Sequence, residues 1–252
     1  MRGGRARSFA PCISSHTSEA WRAREAEVYR CARMIAAFSE NAASSLVEDY
    51  GVEPERVRVV GAGANVFPES APRCDDGKTI LFLGKDFRRK GGTVLLEAFA
   101  LVRRRVPRAR LLLAGPPAPP PLPERVFYLG DVSFTELPAL LAQTSVVALP
   151  TLREPFGLAL LDAMACAVPV VATRVEAVPE IVEDGGTGLL VPPGDPEALA
   201  DALVALLADP ARARALGQRG RERVAERFLW RHAAARLDRA LAEAGAHPGK
   251  AA

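Results

Sequence analysis

From Thr79 onward, short apolar runs alternate with stretches of helical periodicity. The runs are Thr79–Leu83, Leu111–Ala114, Val126–Leu129, Val146–Leu149, Pro169–Ala172 and Gly188–Val191. They are continuously apolar, as expected of strands buried on both faces of a sheet. Between the first two, Leu95, Phe99, Val102 and Val106 fall on one stripe of a helix over Thr93–Val106. Ser133-Phe134-Thr135-Glu136 has the form of a capping box. Asp195-Pro196-Glu197 has the form of an N-cap followed by proline at the first helical position and an acidic first turn. The alternation predicts βαβ units and an α/β fold with a doubly wound, Rossmann-like parallel sheet.

Residues before about Pro72 carry a different pattern: helix Ser18–Arg33, strand Met34–Phe38, helix Asn41–Tyr50 and strand Val57–Val60. That is too little for an independent α/β domain and reads as the end of one. Pro116–Pro123 is expected to be an extended, exposed loop, and beyond Pro210 the chain is Arg- and Ala-rich and helical, closing with Trp230–Ala244. The expected organisation is therefore 1–72, the remnant of an N-terminal domain; 73–228, the Rossmann-like domain; and 229–252, a C-terminal helix and tail, with the hinge in the first and the crossing of the last implied by the family resemblance given below.

Composition narrows the classes. With 49% hydrophobic and 25% charged residues among 252, the chain has a globular mixture. A net charge of +3 gives no basis for a nucleic-acid partner. Cys12, Cys31, Cys74 and Cys166 include no C-x-x-C pair, which speaks against a zinc site or redox pair and suits a reducing compartment. The basic N-terminus has no apolar stretch behind it, so no signal peptide is expected. The longest apolar run, Ala163–Ala172, falls short of the roughly 20 residues a spanning helix needs. A cytoplasmic chain is expected, its contact with any membrane at most peripheral.

The chemistry concentrates in two loops. In the commonest doubly wound order, 3-2-1-4-5-6, strands 1 and 4 are neighbours, and ligands bind outside their carboxyl ends. Here the first strand leads into Gly84-Lys85-Asp86-Phe87-Arg88-Arg89-Lys90-Gly91-Gly92, and the fourth into Pro150-Thr151-Leu152-Arg153-Glu154-Pro155-Phe156-Gly157. Of 33 basic residues only four are lysines, yet two of those, Lys85 and Lys90, sit in this one loop. Lysines serve phosphate oxygens as point charges, and the N–H groups from Gly157 and Leu158 onward offer an anion a helix N-terminus. A nucleoside diphosphate fits this pairing. Glu154 lies on the loop, and Asp162, further along the following helix, has the acceptor oxygens to hold both hydrogens of a vicinal diol such as ribose. The alternatives are plain: a solvated turn, an exposed glutamate, and an acid complementing the helix dipole.

Taken together, these residues resemble the family 4 glycosyltransferases. Glu154 to Cys166, EPFGLALLDAMAC, resembles that family's E-x7-E signature. GKDFRRKGG looks like its diphosphate loop, AVPEIVEDGGTGLLVPPGDPEALADAL like its downstream segment, and RMIAAFSE and VRVVGAGAN like the end of its N-terminal domain and the hinge. The resemblance runs from about Ser18 over nearly the whole chain. It implies the C-terminal half of a two-domain GT-B enzyme that transfers sugar from a nucleotide-sugar substrate (UDP-, GDP- or ADP-linked) with retention, using no cofactor and no bound metal. It implies that Lys85 and Lys90 hold the diphosphate, Glu154 meets the donor sugar at the reacting centre, and Asp162 binds ribose. Glu180 is a further donor-binding candidate, and Gly130-Asp131-Val132 would edge the base pocket.

There are departures. Asp162 stands where glutamate is usual, Lys85 where arginine is, Ala167 where glycine is, and Val175-Glu176 where a Gly-rich turn is. The N-terminal domain implied by the resemblance is mostly missing from these 252 residues. The chain is accordingly expected to be inactive alone and to self-associate through the uncovered face. A non-catalytic nucleotide-sugar-binding remnant or subunit is the alternative from another class. An unrelated doubly wound binding module is a third reading, against which E-x7-D beside RRKGG argues.

Overall fold

The computed structural model describes residues 15–69, 73–115 and 122–246. Most of the Pro-rich loop, the expected boundary near residue 72, Cys12 and the C-terminal tail lie outside them.

The first unit holds α1 (Ser15–Cys31), β1 (Ile35–Ala37), α2 (Glu40–Glu48), a 3-10 turn (Pro54–Arg56) and β2 (Val57–Val59). β1 and β2 pair in parallel, Ile35 opposite Val57. Ala37, Leu46 and Val52 form a small core beside the edge-to-face rings of Tyr29 and Tyr50. Arg56 donates to the carbonyls of Tyr29, Arg30 and Ala32, satisfying the C-terminal end of α1. Ser39 caps α2 by accepting from the Ala42 N–H at 3.0 Å.

The second unit runs β3 (Thr79–Leu83), α3 (Gly92–Arg105), β4 (Arg110–Ala114), β5 (Val126–Gly130), α4 (Leu137–Ala142), β6 (Val146–Leu149), α5 (Leu158–Ala165), β7 (Val170–Thr173), α6 (Val178–Ile181), β8 (Leu189–Val191), α7 (Pro196–Ala208) and α8 (Pro210–Arg227). The six strands form one parallel sheet ordered β5-β4-β3-β6-β7-β8. All six expected strands are present, each within a residue or so of its apolar run. β3, β6 and β7 are buried along their whole length, because helices cover both faces. Leu95, Phe99 and Val102 turn the inner stripe of α3 into that core.

Ser133 and Glu136 exchange the two bonds of a capping box, though the helix proper begins one residue later, at Leu137. Asp195 caps α7 by accepting from the Ala198 N–H at 2.9 Å. Cys166 is a buried thiol, its pKa pushed up to about 11 mainly by burial.

The chain leaves the first unit through residues 60–69 and returns to it through α9 (Trp230–Ala246). The Arg236 guanidinium donates to the Val60 carbonyl at 2.7 Å, the Ala64 N–H to the Phe228 carbonyl at 2.9 Å, and Arg58 pairs with Glu243 at 3.1 Å. Gly63 is required there: a Cβ would stand 2.2 Å from the Trp230 nitrogen. On the first unit Trp21, Val28 and Phe38 are each more than half exposed. Among the described residues no helix is long and apolar enough to cross a membrane.

Candidate functional site

β3 and β6 are neighbours, Ile80 opposite Val146 and Leu81 opposite Val147. The loops leaving their carboxyl ends therefore meet at the point where the sheet changes winding direction. Main-chain bonds weld them together. The Leu152 N–H donates to the Arg89 carbonyl at 2.9 Å, and the Arg89 guanidinium to the Arg153 carbonyl at 2.9 Å. Gly91 makes this approach possible: its φ is +76°, and a Cβ would lie 1.8 Å from the Pro150 carbonyl oxygen.

Inside the junction, the Lys90 ammonium pairs with the Glu154 carboxylate. Their side chains are 13% and 7% exposed, so opposite charges face each other nearly out of water. The Lys90 stem runs along Gly84, where a Cβ would come within 2.8 Å of its Cγ. Lys85 is different. It stands at the rim, largely exposed, and pairs at 3.1 Å with Asp131 in the turn that follows β5. Asp131 is exposed and Val132 half-buried, on the same side of the sheet ends.

Gly157 is the N-cap of α5 with φ +115°, and no side chain caps that end. Leu158, the first helical residue, is 37% exposed, and the Leu160 and Leu161 N–H groups turn back to the Gly157 carbonyl. The fold thus brings Lys85, Lys90, Glu154, Gly157, Leu158, Asp131 and Val132 to the same carboxyl-end region of the sheet.

Asp162 and Glu180 point elsewhere, toward the first unit and the crossing segment. Asp162, 3% exposed, accepts from the Asn65 N–H at 2.6 Å, the Val66 N–H at 3.2 Å and the Asn65 side-chain amide at 3.3 Å. Burial raises its pKa, with the Asn65 and Val66 hydrogen bonds working against the rise. Glu180 accepts from the Glu40 N–H at 2.9 Å and the Asn41 N–H at 2.8 Å, at the N-terminus of α2. A carboxylate there satisfies orphan donors and complements the helix dipole. The Phe38 and Phe156 rings lie 6.0 Å apart beside this contact, so the first unit borders the Glu154 loop.

The sequence pointed to neither Asn65 as the partner of Asp162 nor the α2 N-terminus as the partner of Glu180. Both pairings join residues well over ninety positions apart, and no spacing signals them. Glu176 is a second discovery. Its backbone is left-handed, φ +42°, and Ala167 is likewise left-handed at +55°. Both are positions where the resemblance expects glycine, and the backbone explains why.

Asp162 carries a prediction. Asp162→Ala leaves the Asn65 and Val66 N–H groups without acceptors and costs about 1–3 kcal/mol in urea unfolding. Asp162→Asn keeps an acceptor for both and stays within about 1 kcal/mol. Because the folded-state pKa is raised, the native state holds this proton more tightly. Wild type should therefore gain on Asp162→Asn at acid pH and lose that gain as pH rises above the usual aspartate value of about 3.9. A pH-independent difference between the two would contradict this.

The profile of the family described as glycosyl transferases group 1 matches residues 77–209, the span that contains both loops. The chain is 34% identical over 246 residues to alpha-maltose-1-phosphate synthase of Mycolicibacterium smegmatis, spanning 83% of this chain and 63% of that protein. Among solved structures it resembles sucrose-phosphate synthase from Thermosynechococcus elongatus, with TM-score 0.77 and 29% identity over 93% of this chain and 64% of the other. It also resembles Anabaena HepE in complex with UDP and glucose, with TM-score 0.79 and 21% identity over 91% and 68%. The chain spans about three fifths of the curated relatives it matches. Its parallel-sheet architecture matches that of GT-B glycosyltransferases. With the family profile covering more than half of the chain and lying across both loops, this protein belongs to the glycosyl transferases group 1 family.

Proposed function

We propose that the chain is the donor-binding part of a glycosyltransferase that passes a sugar from a nucleotide-sugar to an acceptor, with retention of configuration and without a bound metal. The Lys90–Glu154 pair at the switch point is the observation that carries this reading. When the bond to the diphosphate breaks, negative charge grows on phosphate oxygens and positive character on the sugar carbon. Lys85, Lys90 and the N–H groups opening α5 answer the first. Glu154 answers the second and holds sugar hydroxyls. Without donor the two charges satisfy each other, and an arriving diphosphate draws Lys90 away, leaving Glu154 to the sugar. Preorganised charge of this kind is worth on the order of 10²–10³-fold in rate per donor group. Anabaena HepE, which shares this fold, is solved in complex with UDP and glucose, and that supports a nucleotide-sugar as the ligand class.

Asp162 and Glu180, in this reading, hold the donor unit against the first unit rather than touching ribose or phosphate. Calorimetry of the 252-residue chain with UDP, GDP and ADP tests the donor site. Weak binding of at least one is expected, and no heat or thermal stabilisation with any of the three, on a folded sample, overturns it.

The chain alone is expected to transfer no sugar. It spans only 63% of the synthase it resembles, and orienting the two reactants is worth about 7–11 kcal/mol of barrier. Turnover of a nucleotide-sugar onto any added acceptor by the purified chain would refute that division of labour.

A further inference from the structure

The Glu154 loop is held by a carboxylate from outside it. Glu176, in the turn between β7 and α6, reaches back to the acidic loop with both oxygens. One accepts from the Glu154 N–H at 2.5 Å, and the other pairs with the Arg153 guanidinium. The Glu176 side chain is 20% exposed and that of Arg153 42%, so the clamp is partly shielded from water. The Arg153 carbonyl is gripped from the other side by the Thr151 hydroxyl at 2.7 Å and by Arg89. The peptide that carries Glu154 is thus fixed on both its carbonyl and its N–H sides.

The backbone at Glu176 makes this arrangement unusual. Its φ of +42° is a conformation that a glycine adopts freely and a side chain does not. A strained residue persists where the surrounding structure over-determines it, and such residues cluster at functional sites. Here the side chain that imposes the strain is the one that makes both bonds to the acidic loop.

We propose that Glu176 is a positioning residue for the donor site: by clamping Arg153 and the Glu154 N–H, it aims the Glu154 carboxylate at Lys90 and at the sugar. The inference rests on the donor-site reading above. It adds that this chain sets Glu154 with an acid where a glycine would make no bond. Nucleotide-sugar affinity is then limited by how well the loop is held, and Glu176 acts only through Glu154 and Lys90.

Two substitutions separate positioning from stability. Glu176→Gly removes the clamp and also the strain. It should raise the melting temperature or leave it unchanged, yet weaken the nucleotide-sugar by about tenfold, the scale of a lost hydrogen bond to a charged group. Glu176→Gln keeps the reach and one acceptor and should restore part of that affinity. The probes are UDP-glucose, GDP-mannose and ADP-glucose, read by calorimetry against the wild-type chain. In a Lys90→Ala background, Glu176→Gly should cost less than about twofold, because the interaction it serves is already gone. If wild type binds none of the probes, the donor-site reading falls and this inference with it. If wild type binds and Glu176→Gly stays within twofold of it, only the inference falls. An equal loss from Glu176→Gly with and without Lys90 would also overturn it.

Discussion

Replacing Lys90 by alanine should lower the unfolding free energy by about 3 kcal/mol, near the lower end of what breaking a buried ion pair costs. The loss comes from Glu154. With the ammonium removed, a carboxylate only 7% exposed is left without its counter-charge. The cleft opening lets in some water, which is why the lower figure applies. For a chain of this size the effect is roughly 6–12 °C in melting temperature, at about 2–4 °C per kcal/mol. The pair itself need not be a net stabiliser, since a buried ion pair often does no better than an apolar one. The combined change Lys90→Ala with Glu154→Gln should therefore recover most of the loss, because no charge remains unpaired. Denaturant unfolding of wild type and the two variants decides the matter. A single variant within 1 kcal/mol of wild type, or a double variant no better than the single, would show that the pair is solvated.

A comparable effect is expected from Gly91→Ala, through geometry instead of charge. The new methyl would lie 1.8 Å from the Pro150 carbonyl oxygen and 2.6 Å from its carbon, both main-chain atoms. Neither loop can yield easily, since each continues from a strand locked in register with the other. To this is added the left-handed backbone, φ +76°. Together they should cost about 3 kcal/mol or more, placing the change among the rare severe ones, and should pull Lys90 away from Glu154. Gly77→Ala is the control. Gly77 has nearly the same φ, +68°, with nothing near the added carbon, so it registers only the backbone penalty of about 1–2 kcal/mol. Equal losses at the two positions would mean that the loops part more readily than their bonding implies.

What the sequence reveals depends on how local the signal is. The six strands were legible because each is a continuous apolar run, and their order followed from the general habit of doubly wound sheets. Lys90 and Glu154 could be brought to one crevice by that topology alone. The clamp from Glu176 was visible only as an unexpected residue in a turn. Its meaning needs φ at 176 and the position of the Glu154 N–H, both consequences of tertiary packing. The partners of Asp162 were hidden for a related reason. Its two acceptor oxygens suited a diol, and nothing local signals that in the structure they accept from Asn65 and Val66 in the crossing segment. Ala167 and Glu176 show the converse: each holds a left-handed backbone at a position where the resemblance implies glycine.

The Glu180 contact has a bearing on how such proteins can be recombined. Among the described residues its carboxylate accepts from two main-chain N–H groups at the start of α2. Asp162 takes two more main-chain N–H groups at Asn65 and Val66, with only the Asn65 amide adding a side-chain bond. Part of the mating of the units is therefore written in helix and linker geometry, which most substitutions leave intact, beside side-chain contacts such as Phe38–Phe156 and Arg58–Glu243. A foreign first half that presents a helix N-terminus at the same point, joined through a segment of the same length, meets the same grip. In this architecture, exchanging one first unit for another is limited by register along the crossing segment as well as by residue identity at the seam.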